Sequence, residues 1–315
     1  MKKVLVITFL VLLALTACGS KSIELAMGYK PDLQFAPLYV ALEKGFFRDA
    51  GLDIKFTNMD ENQAVVLVGA GQLKFAIVSG EQVPLARAQG LPIVYVAAWY
   101  QKYPVSVISK TDLGLTTPAD LRGRTIGLPG LYGANYIGLD ALLFAGGLSE
   151  KDVTLDSINY TQAEALATGR DPVVSVYTAN EPVVLQAEGY KLNEIRVGDY
   201  ATLVANGLIT SEKTIAQNPS MVKSMVKAFL LGVQYTIDHP DEAFEISKGY
   251  VPNLDQLDPV VQKQILATSI GLWKADRLGY SDPQAWENMQ TLLLNMGLLT
   301  QPLDLSKAFT NEFLP

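Results

Sequence analysis

Five short segments each offer an aromatic ring or a side-chain amide, several with an acidic or hydroxyl group beside it. Such a set grips a flat heterocycle by stacking on its faces and hydrogen bonding along its edge. Gln34 and Phe35 lie in a loop after the first strand-like run, and Ser79, Glu81 and Gln82 follow the apolar run Phe75-Ala76-Ile77-Val78. Trp99 and Tyr100 open an aromatic-rich stretch that reaches Tyr103. Tyr132 and Asn135 follow Leu128-Pro129-Gly130-Leu131, and Tyr177 leads into Asn180 and Glu181. All twelve are candidate ligand contacts. A phosphate would need more cationic help than these loops offer.

Other chemistries lack their parts. The chain holds one histidine, His239, and one cysteine, Cys18, too few imidazoles and thiols for a zinc or copper site, so no metal is expected. His239 stands before Pro240 at the end of a helix-like stretch, where the helix dipole favours it. Ser-His and Cys-His nucleophile systems are hard to build from this set. The best nucleophile-base pair is Ser79 with Glu81, which leaves a membrane-anchored hydrolase as an alternative of a different class. A net charge of −7 makes nucleic acid a poor partner.

Positioning these loops requires strands that end at one place. Ile23 to Gly28 reads as a strand, Pro37 to Phe47 as a helix and Gly51 to Phe56 as a second strand. The alternation continues through Phe75 to Val78, Ile93 to Ala98, Thr125 to Leu128, Val153 to Leu155 and Val173 to Tyr177, with helical segments between them. Thr117-Pro118-Ala119-Asp120 carries the cap and first-turn chemistry of a short helix start. Leu203 to Thr210 reads as a return strand, and helices follow from Asn218-Pro219 to the C-terminus. The expected fold is α/β, with two lobes of parallel sheet flanked by helices, a hinge of two chain crossings and a helical C-terminal tail. Residues 23–107 with 203–315 form lobe one, and 108–202 form lobe two. Ligands collect at the carboxyl ends of the strands in such sheets, and all five loops fall there. With 49% apolar and 18% charged residues, core burial can support both lobes.

The N-terminus has a different character. Lys2 and Lys3 precede a nearly unbroken apolar run from Val4 to Leu15, too short for a stable span. Leu15-Thr16-Ala17-Cys18-Gly19 resembles the lipobox of a bacterial lipoprotein. Residues 1–17 are expected to form a signal peptide cleaved ahead of a lipid-bearing Cys18, with 18–22 as the tether. The protein would then sit on the extracytoplasmic face of the cell membrane. A single blocked thiol leaves no intrachain disulfide.

The run from Gly28 to Ala41, GYKPDLQFAPLYVA, resembles the opening of solute-binding proteins in the thiamine-pyrimidine family. Lys44-Gly45-Phe46-Phe47, Gly51-Leu52-Asp53-Ile54 and the run from Asp120 to Gly127 extend the likeness along the chain. Leu85 to Gly90, Ala98 to Gln101 and Leu128 to Ala134 are most similar to a riboflavin-binding branch. The resemblance implies a periplasmic-binding-protein fold and a monomeric lipoprotein serving an ABC permease and its ATPase. Riboflavin would be its transported ligand, and no cofactor is implied. A thiamine pyrimidine precursor is the alternative ligand, although the Trp that pyrimidine binders tend to carry in the opening loop is absent and Phe35 is the nearest ring. Fungal relatives make the thiamine pyrimidine with a cysteine-rich motif and a histidine, and this chain has neither.

Overall fold

The computed structural model describes residues 22–315; the expected signal peptide and Cys18 lie outside the described residues. The first lobe begins with β1 (Ile23–Met27), α1 (Ala36–Glu43), α2 (Phe46–Asp49), β2 (Ile54–Asn58), α3 (Glu61–Gly69), β3 (Phe75–Val78), α4 (Gln82–Ala88) and β4 (Ile93–Ala98). The second holds β5 (Val105–Lys110), β6 (Thr125–Leu128), α5 (Gly133–Ala145), β7 (Thr154–Ser157), α6 (Gln162–Thr168), β8 (Val173–Tyr177), α7 (Glu181–Ala187) and β9 (Leu192–Arg196). The chain then returns through β10 (Gly207–Ser211) to a tail of α8 (Glu212–Gln217), α9 (Pro219–Asp238), α10 (Pro240–Ser247), α11 (Pro259–Trp273) and α12 (Pro283–Asn295).

Local chemistry starts these elements. Asp60 accepts from the amides of Asn62 and Gln63 to open α3. Thr117 and Asp120 form a capping box over a single 3-10 turn, Pro118–Leu121. In the tail, α9, α10, α11 and α12 each begin on proline, whose missing N–H costs nothing at a first helical position.

Strand order is β2-β1-β3-β10-β4 in one sheet and β7-β6-β8-β5-β9 in the other. β1 runs parallel to β2 and β3, and β6 runs parallel to β7 and β8. Each sheet also contains one strand running against its neighbours. β10 is antiparallel to β3 and β4, and β5 is antiparallel to β8 and β9. The expected all-parallel order is modified for a geometric reason. β5 and β10 are the first strands after a crossing, so they start at the end where the others finish: Val105 opens opposite Tyr177, and Gly207 opens opposite Val78 and Ala98. β5 pairs along its whole length within the second sheet, so a lobe division at 107 would cut it; the first crossing runs from 99 to 104.

The tail packs back on lobe one. Gly232 of α9 lets α1 approach closely, since a Cβ there would lie 2.2 Å from the Pro37 carbonyl oxygen. Bridges from Ala98 to Gly279 and from Tyr95 to Phe309 cover the outer edge of β4. Trp286 stacks on Phe309 with centroids 5.1 Å apart and meets Tyr95 edge-on at 5.3 Å. The carbonyl of Leu272, near the end of α11, accepts from Gln101 and Lys102 and braces the first crossing. Among the described residues no helix is long and apolar enough to cross a membrane.

The second crossing passes tightly over the loop after β3. A Cβ on Gly80 would sit 2.4 Å from the carbonyl oxygen of Val204, and backbone cannot give way as a flexible side chain can. Gly80→Ala is therefore expected to destabilise the protein by about 1–3 kcal/mol. A lowered denaturant midpoint at unchanged slope is the expected reading, and an unchanged midpoint would contradict the close packing.

Candidate ligand-binding cleft

The carboxyl ends of the strands in both lobes open onto one cleft, with about 910 Å³ of empty space including the part open to solvent. Lobe one supplies Gln34 and Phe35 after β1, Ser79 and Gln82 after β3, and Trp99 after β4. Lobe two supplies Tyr132 and Asn135 after β6, Tyr177 at the end of β8, and Asn180 and Glu181 after it. These ten of the twelve candidate residues meet at the cleft.

The rings are placed by backbone chemistry. Asp32 accepts from the amide of Gln34 at 3.0 Å and starts the 3-10 turn Leu33–Phe35. That turn brings Phe35 onto Trp99, with centroids 5.5 Å apart and planes 28° from parallel. Trp99 is only 1% exposed and is backed by Trp273 at 5.7 Å. On the opposite lobe Tyr132 is 57% exposed. Gly133 takes φ 71°, a left-handed value suited to glycine, and Tyr132 lies over Gly130, where a Cβ would touch its ring at 2.4 Å.

Two expected contacts are corrected. Tyr100 lies outside the cleft lining and packs against Trp99 and Trp273, because the chain bends just after β4, where the amides of Trp99 and Tyr100 both donate to the Asn206 carbonyl. Glu81 is fully buried behind the lining, and neither carboxyl oxygen has a partner. The Ser79–Glu81 pair required for a hydrolase does not form. Ser79 instead donates through its hydroxyl, at 3.0 Å, and its amide, at 3.1 Å, to Glu61 Oε1. His239 packs at a tilt against Tyr235 in the tail, with centroids 4.3 Å apart.

The structure adds residues that the sequence reading passed over. Asp60, Glu61 and Asn62 follow β2, while Tyr160 and Gln162 follow β7, so the strand-end rule applied to these loops too would have found them. Tyr29 of lobe one meets Tyr160 of lobe two across the mouth, with centroids 5.6 Å apart. Asn206 comes from the second crossing, where no local pattern marks it.

Burial governs the electrostatics. It pushes the carboxyls of Glu61 and Glu181 up to about 7. Burial, together with the neighbouring Glu61, pushes Glu81 up to about 8. The hydroxyls of Tyr103 and Tyr177 are also held well above their ordinary value by burial. Among the described residues no Lys or Arg lines the cleft. Lys30 stands nearby, its ammonium 5.4 Å from the ring centre of Tyr29.

An acid whose folded value lies above its unfolded one holds its proton better when folded. Its contribution to stability is therefore lost as pH rises from the ordinary 4.5 through about 8 for Glu81. The denaturant midpoint is expected to fall between about pH 5 and about pH 8, and Glu81→Gln should fall less. Parallel falls in the two proteins would contradict a buried neutral carboxyl.

Comparison with known proteins gives the same architecture a lineage. The chain is 37% identical to riboflavin-binding protein RibY of Chloroflexus aurantiacus over 99% of this chain and 98% of that protein. It is 27% identical to a formylaminopyrimidine-binding protein of Halalkalibacterium halodurans, covering 92% of this chain and 90% of the relative. A Saccharomyces cerevisiae relative, 21% identical over 94% of this chain and 88% of its own, is named 4-amino-5-hydroxymethyl-2-methylpyrimidine phosphate synthase THI13. Among solved structures, the periplasmic aliphatic sulphonate binding protein SsuA from Escherichia coli shares the fold, with a TM-score of 0.75 and 12% identity over 91% of this chain and 92% of that one. The two-lobed α/β architecture is thus that of periplasmic binding proteins, and residues 32–243 match the family described as NMT1/THI5 like. The chain belongs to the NMT1/THI5-like family.

Proposed function

We propose that this protein is the solute-binding component of an ABC importer, that it captures riboflavin between its lobes, and that it hands the vitamin to a permease driven by its ATPase. It acts as a binder, not a catalyst, and works on the extracytoplasmic face of the cell membrane, held there by lipid on Cys18. The observation that carries this reading is a cleft lined by rings and amides from both lobes, with no Lys or Arg in its lining among the described residues. The named activity of the 37% identical relative supports it.

The physical terms suffice for tight binding without an ion pair. Burying about 300 Å² of apolar ligand surface at about 25 cal/mol per Å² contributes about 7 kcal/mol, of which ordering takes back a part. Ring stacking adds about 1–3 kcal/mol, and about −8 kcal/mol corresponds to micromolar affinity. The isoalloxazine lies between Tyr132 and the Phe35–Trp99 pair, while Gln34, Gln82, Asn135 and Asn180 address its polar edge. Contacts from both lobes favour the closed arrangement, and a permease distinguishes closed from open by surface shape.

Titration of the purified protein into riboflavin is expected to quench flavin fluorescence. Tyr132→Ala removes an exposed ring from outside the core, so it should fold normally and weaken binding about tenfold. A thiamine pyrimidine precursor should compete poorly. Absence of quenching, together with tight binding of the pyrimidine, would overturn the riboflavin assignment in favour of the smaller ligand.

A further inference from the structure

The first turn of a helix carries free amides that welcome an anion, and α3 starts at the cleft. Here the chain fills that position itself. Asp60 Oδ1 accepts from the amide of Asn62 at 2.9 Å and from that of Gln63 at 3.4 Å. The next residue, Glu61, reaches across the end of β1 and accepts from both the amide and the hydroxyl of Ser79. Gly28 makes room for it, since a Cβ there would lie 2.4 Å from Glu61 Cγ. In the facing lobe, Glu181 Oε2 accepts from the amide of Tyr177 at 3.2 Å.

All three carboxylates line the cleft, and no lining cation among the described residues balances them. Lys30, the nearby ammonium, stands over the ring of Tyr29 and faces Asp32 and Glu181. Carboxylate oxygens already bound to amides have lone pairs left, and these can accept from hydroxyl donors. They repel phosphate oxygens brought to the same wall of the cleft.

Taking the riboflavin assignment as its starting point, we propose that Asp60, Glu61 and Glu181 set the cleft's specificity for the free, polyhydroxylated vitamin over its phosphate esters. The ribityl hydroxyls donate to Glu61 and Glu181, and the charge of all three side chains turns a terminal phosphate away.

Calorimetric titration of the full protein with riboflavin and with riboflavin 5′-phosphate, at about pH 8.5 so that Glu61 and Glu181 are ionised, tests this. The free vitamin is expected to bind at least about 100-fold more tightly. Glu61→Gln and Glu181→Gln should each narrow that ratio about fivefold or more. Asp60→Asn keeps the helix cap, because Asn caps as well as Asp, and should also narrow the ratio while leaving the fold intact. The ratio is the reading that matters, because a purely structural defect weakens both ligands alike. Equal affinity for the two flavins, or a ratio unchanged in all three variants, overturns the charge selection and leaves the riboflavin assignment standing. Failure of both flavins to bind overturns the two together.

Discussion

Asn206 ties the two chain crossings and both lobes to one point. Its carbonyl accepts from the amides of Trp99, at 3.0 Å, and Tyr100, at 3.1 Å, which joins the outgoing crossing to the returning one. Its side-chain amide donates to Ser79 Oγ in lobe one at 3.3 Å and to Tyr177 Oη in lobe two at 3.5 Å. The hydroxyl of Tyr95 holds the same stretch from below, donating to the carbonyls of Ala205 and Asn206. Trp99 can back the cleft only because this clasp fixes its main chain. Phe35 can stack there only because Trp99 is held.

The floor beneath the cleft is costly to build. Glu81 lies fully buried with both oxygens unpaired, and the indole nitrogens of Trp99 and Trp273 also lack partners. Buried polar groups of this kind lower stability and gather where function requires them. The offsetting interactions lie elsewhere, in the apolar core and in the tail, where Trp286, Phe309 and Tyr95 pack together and close the edge of β4. A well-packed lobe and tail thus carry a polar centre with unpartnered groups.

Much of the fold was legible because local signals agreed with the global arrangement. Phe75 to Val78 and Thr125 to Leu128 are short apolar runs, each followed by a turn and a helix, and both became strands ending at the cleft. The loops after β1, β3, β4, β6 and β8 could be named from the strand-end rule alone. What escaped depends on contacts far apart in sequence. The direction of β5 and β10 follows from where the crossings enter each sheet, which no residue in either strand records. Trp99 and Tyr100 are equally aromatic, and only the path of the main chain decides which of them faces the cleft. Asn206 belongs to a connection without periodicity, and Glu81 resembles an ordinary helix-start carboxylate until burial by the surrounding elements is seen.

The central claim is that rings from both lobes clasp a planar ligand at this cleft. A crystal structure of the protein grown with riboflavin tests it most directly. The isoalloxazine is expected between the lobes, with one face toward Tyr132 and the other toward Phe35 and Trp99. A flavin seated elsewhere on the protein, or a cleft that stays empty at saturating riboflavin, would contradict the account.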